Sequence, residues 1–223
     1  KEELLLAFSS EKLDVQSKIK KIVPLLTPIY ENNLENFDFI FELSKMIVET
    51  HPFDATSNYI YADLLRIDQQ IELSVSYYKK VVEIDQNEIG AWEEMLFLEL
   101  RLNRLDSLKT DSEQAIELFP TNPIFYYLNG LSFYYKKNYE KTIDPMEIGV
   151  NFIVSNPNLS SEMYSILGNS YNELEDFKNS DISYERALEY IPNNVQVLNN
   201  YAYYLSLREE NLERAEEHTS ELQ

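Results

Sequence analysis

The side chains best suited to acid–base chemistry in this sequence are two histidines, His51 and His218. His51 stands directly before Pro52, where a helix is predicted to end, and is better explained as a residue favoured there by the helix dipole. His218 lies in the last predicted helix, far from His51 along the chain. No Ser/His/Asp set, glycine-rich phosphate loop or His/Glu metal spacing accompanies them, and cysteine is absent. The sequence therefore predicts no enzyme, no cofactor and no metal site.

The carboxylates do not form a convincing ion site either. The segment Asp85–Gly90 has the polar start of a calcium loop, but Ile89 occupies the fifth loop position. Leu96 stands where a bidentate glutamate is needed. The acidic pairs between residues 209 and 217 are typical of a solvated helix face. Neither group of carboxylates indicates a functional centre.

The composition favours helices and excludes several classes of partner. Hydrophobic residues make up 44% of the 223 positions, and 4 glycines and 8 prolines are too few for the turns of a β protein. Apolar residues recur at three- and four-residue spacing, the helical period. The formal net charge of −20 repels phosphate backbones and anionic lipids but permits basic partners. No run reaches the roughly 20 apolar residues of a membrane-spanning helix. We therefore predict an all-α fold, no nucleic-acid partner and no direct membrane span.

One segment, 161–194, shows how the helices are organised. It contains two amphipathic helical patterns joined by a short turn, with Gly168 at its eighth position, Tyr171 at its eleventh and Pro192 at its thirty-second. Small, aromatic or proline residues return at corresponding positions when the frame is moved to start at residues 55, 89, 123 and 195. A period of this length is typical of stacked helical repeats.

This pattern resembles the tetratricopeptide repeat, whose consensus places small, aromatic and proline residues at the same positions. The resemblance, closest in style to tetratricopeptide repeat proteins of the Bacteroidota, implies a right-handed α–α superhelix, or solenoid, of five to six helix-turn-helix repeats. The predicted boundaries are a degenerate start at 1–54, repeats at 55–88, 89–122, 123–160 and 161–194, and an incomplete repeat at 195–223. A short helix is expected at Leu4–Phe8, and Pro24 and Pro28 are expected to kink or restart the helix that follows.

Small residues should stand where the two helices of a repeat cross. Gly168 is expected to face Ser180, and Ala62 to face Ser74, because small side chains let the two backbones approach closely. Larger residues can then fill the flanks of the crossing. A leucine at position 168 would overpack the crossing and cost about 1–3 kcal/mol.

The resemblance also implies a concave groove lined by first-helix residues. The candidate peptide-binding residues are Tyr59, Asp63, Arg66, Glu93, Phe97, Arg101, Tyr127, Leu131, Tyr134, Asn169, Asn172, Asn199 and Tyr203. Tyrosine supplies large amphipathic contact area, and asparagine can hydrogen-bond an extended backbone bidentately. Packing against neighbouring helices is the alternative explanation for Tyr134 and Tyr135.

One subclass of the family binds acidic C-terminal tails through a carboxylate clamp of lysine, asparagine and arginine side chains. Asn169 and Asn200 match the two asparagines of that clamp, but Ser165 stands where its first lysine is needed. The strongly acidic chain also opposes an acidic ligand. We therefore do not expect this type of ligand.

We expect a protein-interaction scaffold that binds a peptide or protein segment in the concave groove. The alternative is a structural spacer that self-associates through the C-terminal helix at Leu222, or packs on other domains of a longer chain. The last repeat stops without a closing proline or polar cap, so we expect the natural chain to continue or this end to pack on a partner. The sequence does not specify the partner, and the resemblance favours an exported, periplasmic or lipid-anchored bacterial protein.

Overall fold

Helices account for all the regular secondary structure between residues 1 and 208, the part of the chain that the computed structural model describes. Their bounds are α1 Glu2–Phe8, α2 Val15–Tyr30, α3 Phe37–Thr50, α4 Ala55–Ile67, α5 Ile71–Ile84, α6 Ile89–Arg101, α7 Leu105–Leu118, α8 Pro123–Tyr134, α9 Tyr139–Val150, α10 Pro157–Glu173, α11 Phe177–Tyr190 and α12 Val195–Leu207. The predicted all-α class is confirmed, and α1 is the short helix expected at Leu4–Phe8. His218 and the predicted self-association residue Leu222 lie outside the described residues.

The helices form two compact units, Lys1–Leu102 and Asn103–Gln223, and the second is described as far as residue 208. In the first unit α4 packs on α3 and α5, and α5 also packs on α6. In the second unit α8 packs on α7 and α9, and α10 packs on α9 and α11. Within each unit, most helices that follow one another along the chain are thus spatial neighbours, as in a helical repeat protein. The grouping of all helices into one solenoid with the boundaries given above stays a prediction.

Helix α2 corrects the expected restart at Pro24 or Pro28, whereas the alternative expectation, a kink, stays a prediction. Pro24 and Pro28 lie inside it, and the helix does not restart at either residue. Both prolines are on the exposed side, so the backbone carbonyls that lose a hydrogen-bond donor there are open to water. The opposite side buries Ile22, Leu26 and Ile29 in the core of the first unit. Burial of that apolar stripe keeps the helix continuous through two residues that locally disfavour it.

The crossing of paired helices depends on small residues, as predicted. In the first unit, Ser74 of α5 donates its hydroxyl to the backbone oxygen of Ala62 in α4, at 2.8 Å. In the second, Ser180 of α11 makes the same bond to Gly168 of α10, at 2.9 Å. A Cβ added at Gly168 would lie 3.0 Å from the ring of Tyr184. The expected close approach of the two helices at these residues is therefore confirmed.

A second recurring contact ties the start of a first helix to the segment before it. In each case a side chain in the first turn of the helix donates to a backbone oxygen six residues earlier. The pairs are Asn58 with Pro52, Trp92 with Gln86, and Tyr126 with Pro120, each at 3.0 Å. The donors differ chemically, yet each satisfies a backbone carbonyl in the loop that joins one helix pair to the next.

The turns between paired helices share one unusual backbone conformation. A residue with positive φ stands in the turn at Gln69, Asn103, Lys137 and Glu175, with φ of 61°, 54°, 58° and 60°. After Gln69, Lys137 and Glu175, the next amide donates to a carbonyl five residues earlier, which closes the first helix. None of the four is glycine, the residue that adopts this conformation without a steric penalty.

Glycine at such a turn should therefore stabilise the protein. We expect Glu175→Gly to raise the free energy of unfolding by about 0.5–1 kcal/mol, because it removes the Cβ clash of the left-handed conformation. Gln114→Gly, at an exposed position inside α7, is the control and should lower it by about 0.5–1 kcal/mol. Urea unfolding followed by circular dichroism measures both. A loss of stability in both variants would contradict the proposed turn geometry.

Candidate functional site

The predicted groove residues all lie on the first helices of helix pairs. In the first unit they are Tyr59, Asp63 and Arg66 on α4 and Glu93, Phe97 and Arg101 on α6. In the second unit they are Tyr127, Leu131 and Tyr134 on α8, Asn169 and Asn172 on α10, and Asn199 and Tyr203 on α12. Because α10 packs on both α8 and α12, the second unit brings three of these helices together.

In the first unit, Asp63 is the centre of a buried polar cluster. Its carboxylate accepts hydrogen bonds from Tyr78 at 2.5 Å and from Tyr30 at 2.8 Å. Arg66 lies 3.3 Å from Asp63 and 3.3 Å from Glu94 of α6, so one guanidinium pairs with two carboxylates. Asp63 is only 7% exposed. It therefore contributes to the interior of the unit, and its charge is compensated there.

The tyrosines around Asp63 remain protonated hydrogen-bond donors. Burial, followed by the nearby Asp63 charge, raises the pKa of Tyr59 to about 12 and moves the pKa values of Tyr30 and Tyr78 in the same direction. Sequence reasoning missed Tyr30 and Glu94 because they lie on other helices, and no local spacing connects them to Asp63. The remaining predicted residues of this unit are at or near the surface. Phe97 is 41% exposed, and Arg101 donates to Gln69 at 2.8 Å.

Asn169 occupies the same place in the second unit as Asp63 does in the first. Its side-chain oxygen accepts a hydrogen bond from the hydroxyl of Tyr184 at 2.6 Å. Tyr184 is fully buried and stacks on Tyr201, with ring centroids 4.9 Å apart. Asn169 itself is 8% exposed. Its main visible role is to satisfy a buried tyrosine hydroxyl.

Other predicted residues of the second unit do face outward. Tyr203 is 58% exposed, Asn199 is exposed, and Tyr127, Tyr134 and Asn172 are half-buried. Leu131, by contrast, is buried. We refer to the set of Tyr127, Tyr134, Asn172, Asn199 and Tyr203 as the tyrosine-amide surface. The side-chain oxygen of Asn172 is enclosed yet accepts no hydrogen bond within residues 1–208. An enclosed amide oxygen without a donor is uncommon in folded proteins and is suited to receive one from a ligand.

Tyr134 and Tyr135 combine the two explanations that the sequence left open. Tyr135 is 57% exposed, with its ring 5.7 Å from that of Tyr134. Tyr134 also packs edge-on against Tyr139, at 5.9 Å. Burial raises the pKa of Tyr134 above its usual value. Tyr134 is thus partly a packing residue, and Tyr135 is mostly free of such contacts.

The charge distribution around the tyrosine-amide surface is one-sided. Helices α8 and α12 contain no charged residue, and α10 contains only Glu162 and Glu173. Glu162 is half-buried, and burial raises its pKa above the ordinary glutamate value. Glu173 is exposed and accepts the hydroxyl of Tyr204 at 3.4 Å. No ion pair formed within the described residues includes either carboxylate.

Comparison with known proteins identifies the repeat. The family profile described as the tetratricopeptide repeat matches residues 55–88 and 161–194, the segments that hold α4–α5 and α10–α11. These two segments are tetratricopeptide repeats. The resemblance inferred from the residue pattern is thereby confirmed, and so is the helical repeat fold.

Solved structures of tetratricopeptide repeat proteins have the same fold. A tetratricopeptide repeat protein from Parabacteroides merdae superposes with a TM-score of 0.70 at 12% identity, covering 93% of this chain and 78% of that one. MamA from Desulfovibrio magneticus RS-1 gives 0.65 at 17% identity, covering 79% and 97%. YrrB, described as a TPR protein with an unusual peptide-binding site, gives 0.63 at 16% identity, covering 80% and 89%. At these identities the likeness concerns the fold. No curated protein sequence matches the chain.

Two further features are absent from residues 1–208. None of the helices there is both long enough and apolar enough to cross a membrane. No group of three or more histidine, aspartate or glutamate side chains in this range is placed to hold a metal ion. His51 stands at the end of α3, with its Nε2 3.1 Å from the backbone oxygen of Leu13, so this histidine has a structural partner.

The different surroundings of Asn169 and Asn172 predict different effects on stability. Asn169→Ala should lower the free energy of unfolding by about 1–3 kcal/mol, because it leaves the buried Tyr184 hydroxyl without a partner. Asn172→Ala on the same helix is the matched control and should change it by less than about 0.5 kcal/mol. Denaturant unfolding of the two variants makes the comparison. Equal losses would show that Asn169 does not have this role.

The raised pKa of Glu162 predicts a pH-dependent effect. A carboxyl group whose pKa is higher in the folded state than in the unfolded state stabilises the fold while it is protonated. This contribution is complete below the unfolded-state pKa and is lost as the pH rises through the folded-state pKa. We therefore expect Glu162→Gln to be more stable than the wild type at neutral pH. This advantage should shrink as the pH falls toward the ordinary glutamate range. Unfolding curves at several pH values measure the difference, and a constant difference would disprove the assignment.

Proposed function

We propose that this protein is an interaction scaffold that binds an extended segment of another protein on its first-helix surfaces. In the second unit the segment would lie on the tyrosine-amide surface. In the first unit it would contact the exposed parts of Tyr59, Glu93, Phe97 and Arg101. The observation that carries the proposal is the enclosed Asn172 oxygen without a donor, which stands among half-exposed and exposed tyrosines.

The chemistry of the tyrosine-amide surface suits a peptide backbone. An extended chain presents an N–H and a C=O at every residue, and an asparagine side chain can bond both. Asn172 has an acceptor available for that purpose, and Asn199 is exposed on the neighbouring helix. Tyrosine rings add apolar contact area at low entropic cost. Asp63, Leu131 and Asn169 support these surfaces from the interior and would act on binding mainly through the fold.

The comparisons support an interaction role at a coarser level. Repeat proteins of this fold expose extended surfaces that bind other proteins. One structure with the same fold, YrrB, is described as having a peptide-binding site. The proposal for this chain goes further, because it assigns binding to particular side chains of α8, α10 and α12.

Binding should be lost when the exposed members of the surface are removed. Peptides are first selected with the wild-type protein from a random array, and their dissociation constants are measured by fluorescence anisotropy. Asn172→Ala combined with Tyr203→Ala should weaken binding by about tenfold or more, because both side chains are expected to contact the peptide. Both positions are exposed enough for the fold to survive, which circular dichroism checks.

Tyr190→Ala is the matched control for this experiment. Tyr190 is 48% exposed, comparable with Tyr203 at 58%, but it lies on the second helix α11. Its removal should leave peptide affinity unchanged. The proposal is wrong if the wild type selects no peptide, or if the double variant and the control bind the selected peptides with the affinity of the wild type.

A further inference from the structure

The distribution of charge in the second unit points to the chemistry of the partner. Its three first helices, α8, α10 and α12, contain no lysine, arginine or histidine, and their only charged residues are Glu162 and Glu173. The chain as a whole carries 39 acidic and 19 basic residues. The tyrosine-amide surface is therefore negative both by its own residues and by the field of the whole protein.

Two of the cations that follow these helices are paired with carboxylates elsewhere, and the third, Lys137 after α8, is exposed. Lys136, after α8, forms an ion pair with Asp106, and Arg208, after α12, pairs with Asp181 at 2.6 Å. Asp63 in the first unit likewise has Arg66. Glu162 and Glu173 differ from these carboxylates because no cation within the described residues compensates them.

Glu162 is held in a position that disfavours its charge. It is half-buried on α10, and burial raises its pKa above the ordinary glutamate value. Burial, followed by the charge of Glu162, raises the pKa of Tyr127 of α8. A lone carboxylate in such a place is destabilising by itself. A cationic side chain supplied by a ligand would compensate it.

Glu173 has surroundings that suit a cation as well. Tyr204 donates its hydroxyl to it, and the carboxylate lies near enough to Tyr134 and Tyr139 to act on both phenols. A carboxylate with several aromatic rings around it can bind a guanidinium or ammonium group through an ion pair and cation–π contacts together.

The two carboxylates have a defined spacing. They stand on one helix about three turns apart, close to the same face, which separates them by about 16 Å along the axis. An extended peptide covers that distance in about five residues.

We propose that the second unit binds a basic extended peptide, with one lysine or arginine at Glu162 and another at Glu173, about five residues apart. This inference rests on the proposed peptide-binding function and adds the chemistry of the partner. The tyrosines of the tyrosine-amide surface and the Asn172 oxygen contact the peptide between and beside its two cations.

Three peptide arrays test the proposal on the full chain. They share the same randomised sequences and differ only at two positions about five residues apart, which are both arginine, both glutamine or both glutamate. The arginine array should give the most and the tightest binders, and sodium chloride should weaken them. For a selected arginine peptide, Glu162→Gln should raise the dissociation constant about tenfold and Glu173→Gln about threefold. Glu117→Gln, the same change at an exposed site on α7, is the control and should have no effect.

The outcomes separate this inference from the function on which it rests. If glutamine or glutamate peptides bind as tightly as arginine peptides, and Asn172→Ala with Tyr203→Ala abolishes that binding, the basic partner is wrong and the peptide surface stands. Arginine peptides that are insensitive to both glutamate variants would also overturn it. If no array gives a binder, both proposals fail.

Discussion

The close crossing of two helices, fixed by a serine and a tyrosine from the second helix, is the interaction on which both repeats depend. Ser74 and Ser180 bond directly to the backbone of the first helix, and Tyr78 and Tyr184 reach a polar side chain one position further along it. These bonds require the backbones to be near, which the small residues Ala62 and Gly168 permit. The crossing then sets which faces of the first helix are buried and which remain available to a ligand.

The two units differ in electrostatic character because a different residue accepts the hydrogen bond from the tyrosine hydroxyl in each of them. In the first unit it is an aspartate, and a buried carboxylate needs compensation, which Arg66 and a second tyrosine provide. In the second unit it is the neutral Asn169, so no cation is required nearby. The first helices there can consist of uncharged residues apart from Glu162 and Glu173. The same position in the repeat thus produces a charge-compensated cluster in one unit and an acidic surface in the other.

Stability and binding make opposite demands on Glu162. A half-buried carboxylate without a cation disfavours the folded state, whereas a neutral side chain of the same shape would not. The positive-φ turns at Lys137 and Glu175 are similar departures from the most stable sequence, but their side chains are exposed and no side-chain contact within the described residues explains them. Glu162 differs from those turns because it is half-buried, and the basic peptide proposed above would compensate its charge.

The amino-acid sequence by itself determined the helical class, the repeat pattern and the small residues at the helix crossings. These properties follow from local spacing, because residues three, four and about twelve positions apart meet within one helix pair. Only the tertiary structure decided which polar groove candidates are exposed. Asn169 and Asn172 look alike in sequence, but Tyr184 reaches only the first. Tyr30 meets Asp63 from a different helix, and α2 continues through two prolines because its other face is buried. Such contacts depend on how separate helices pack, which no local pattern specifies.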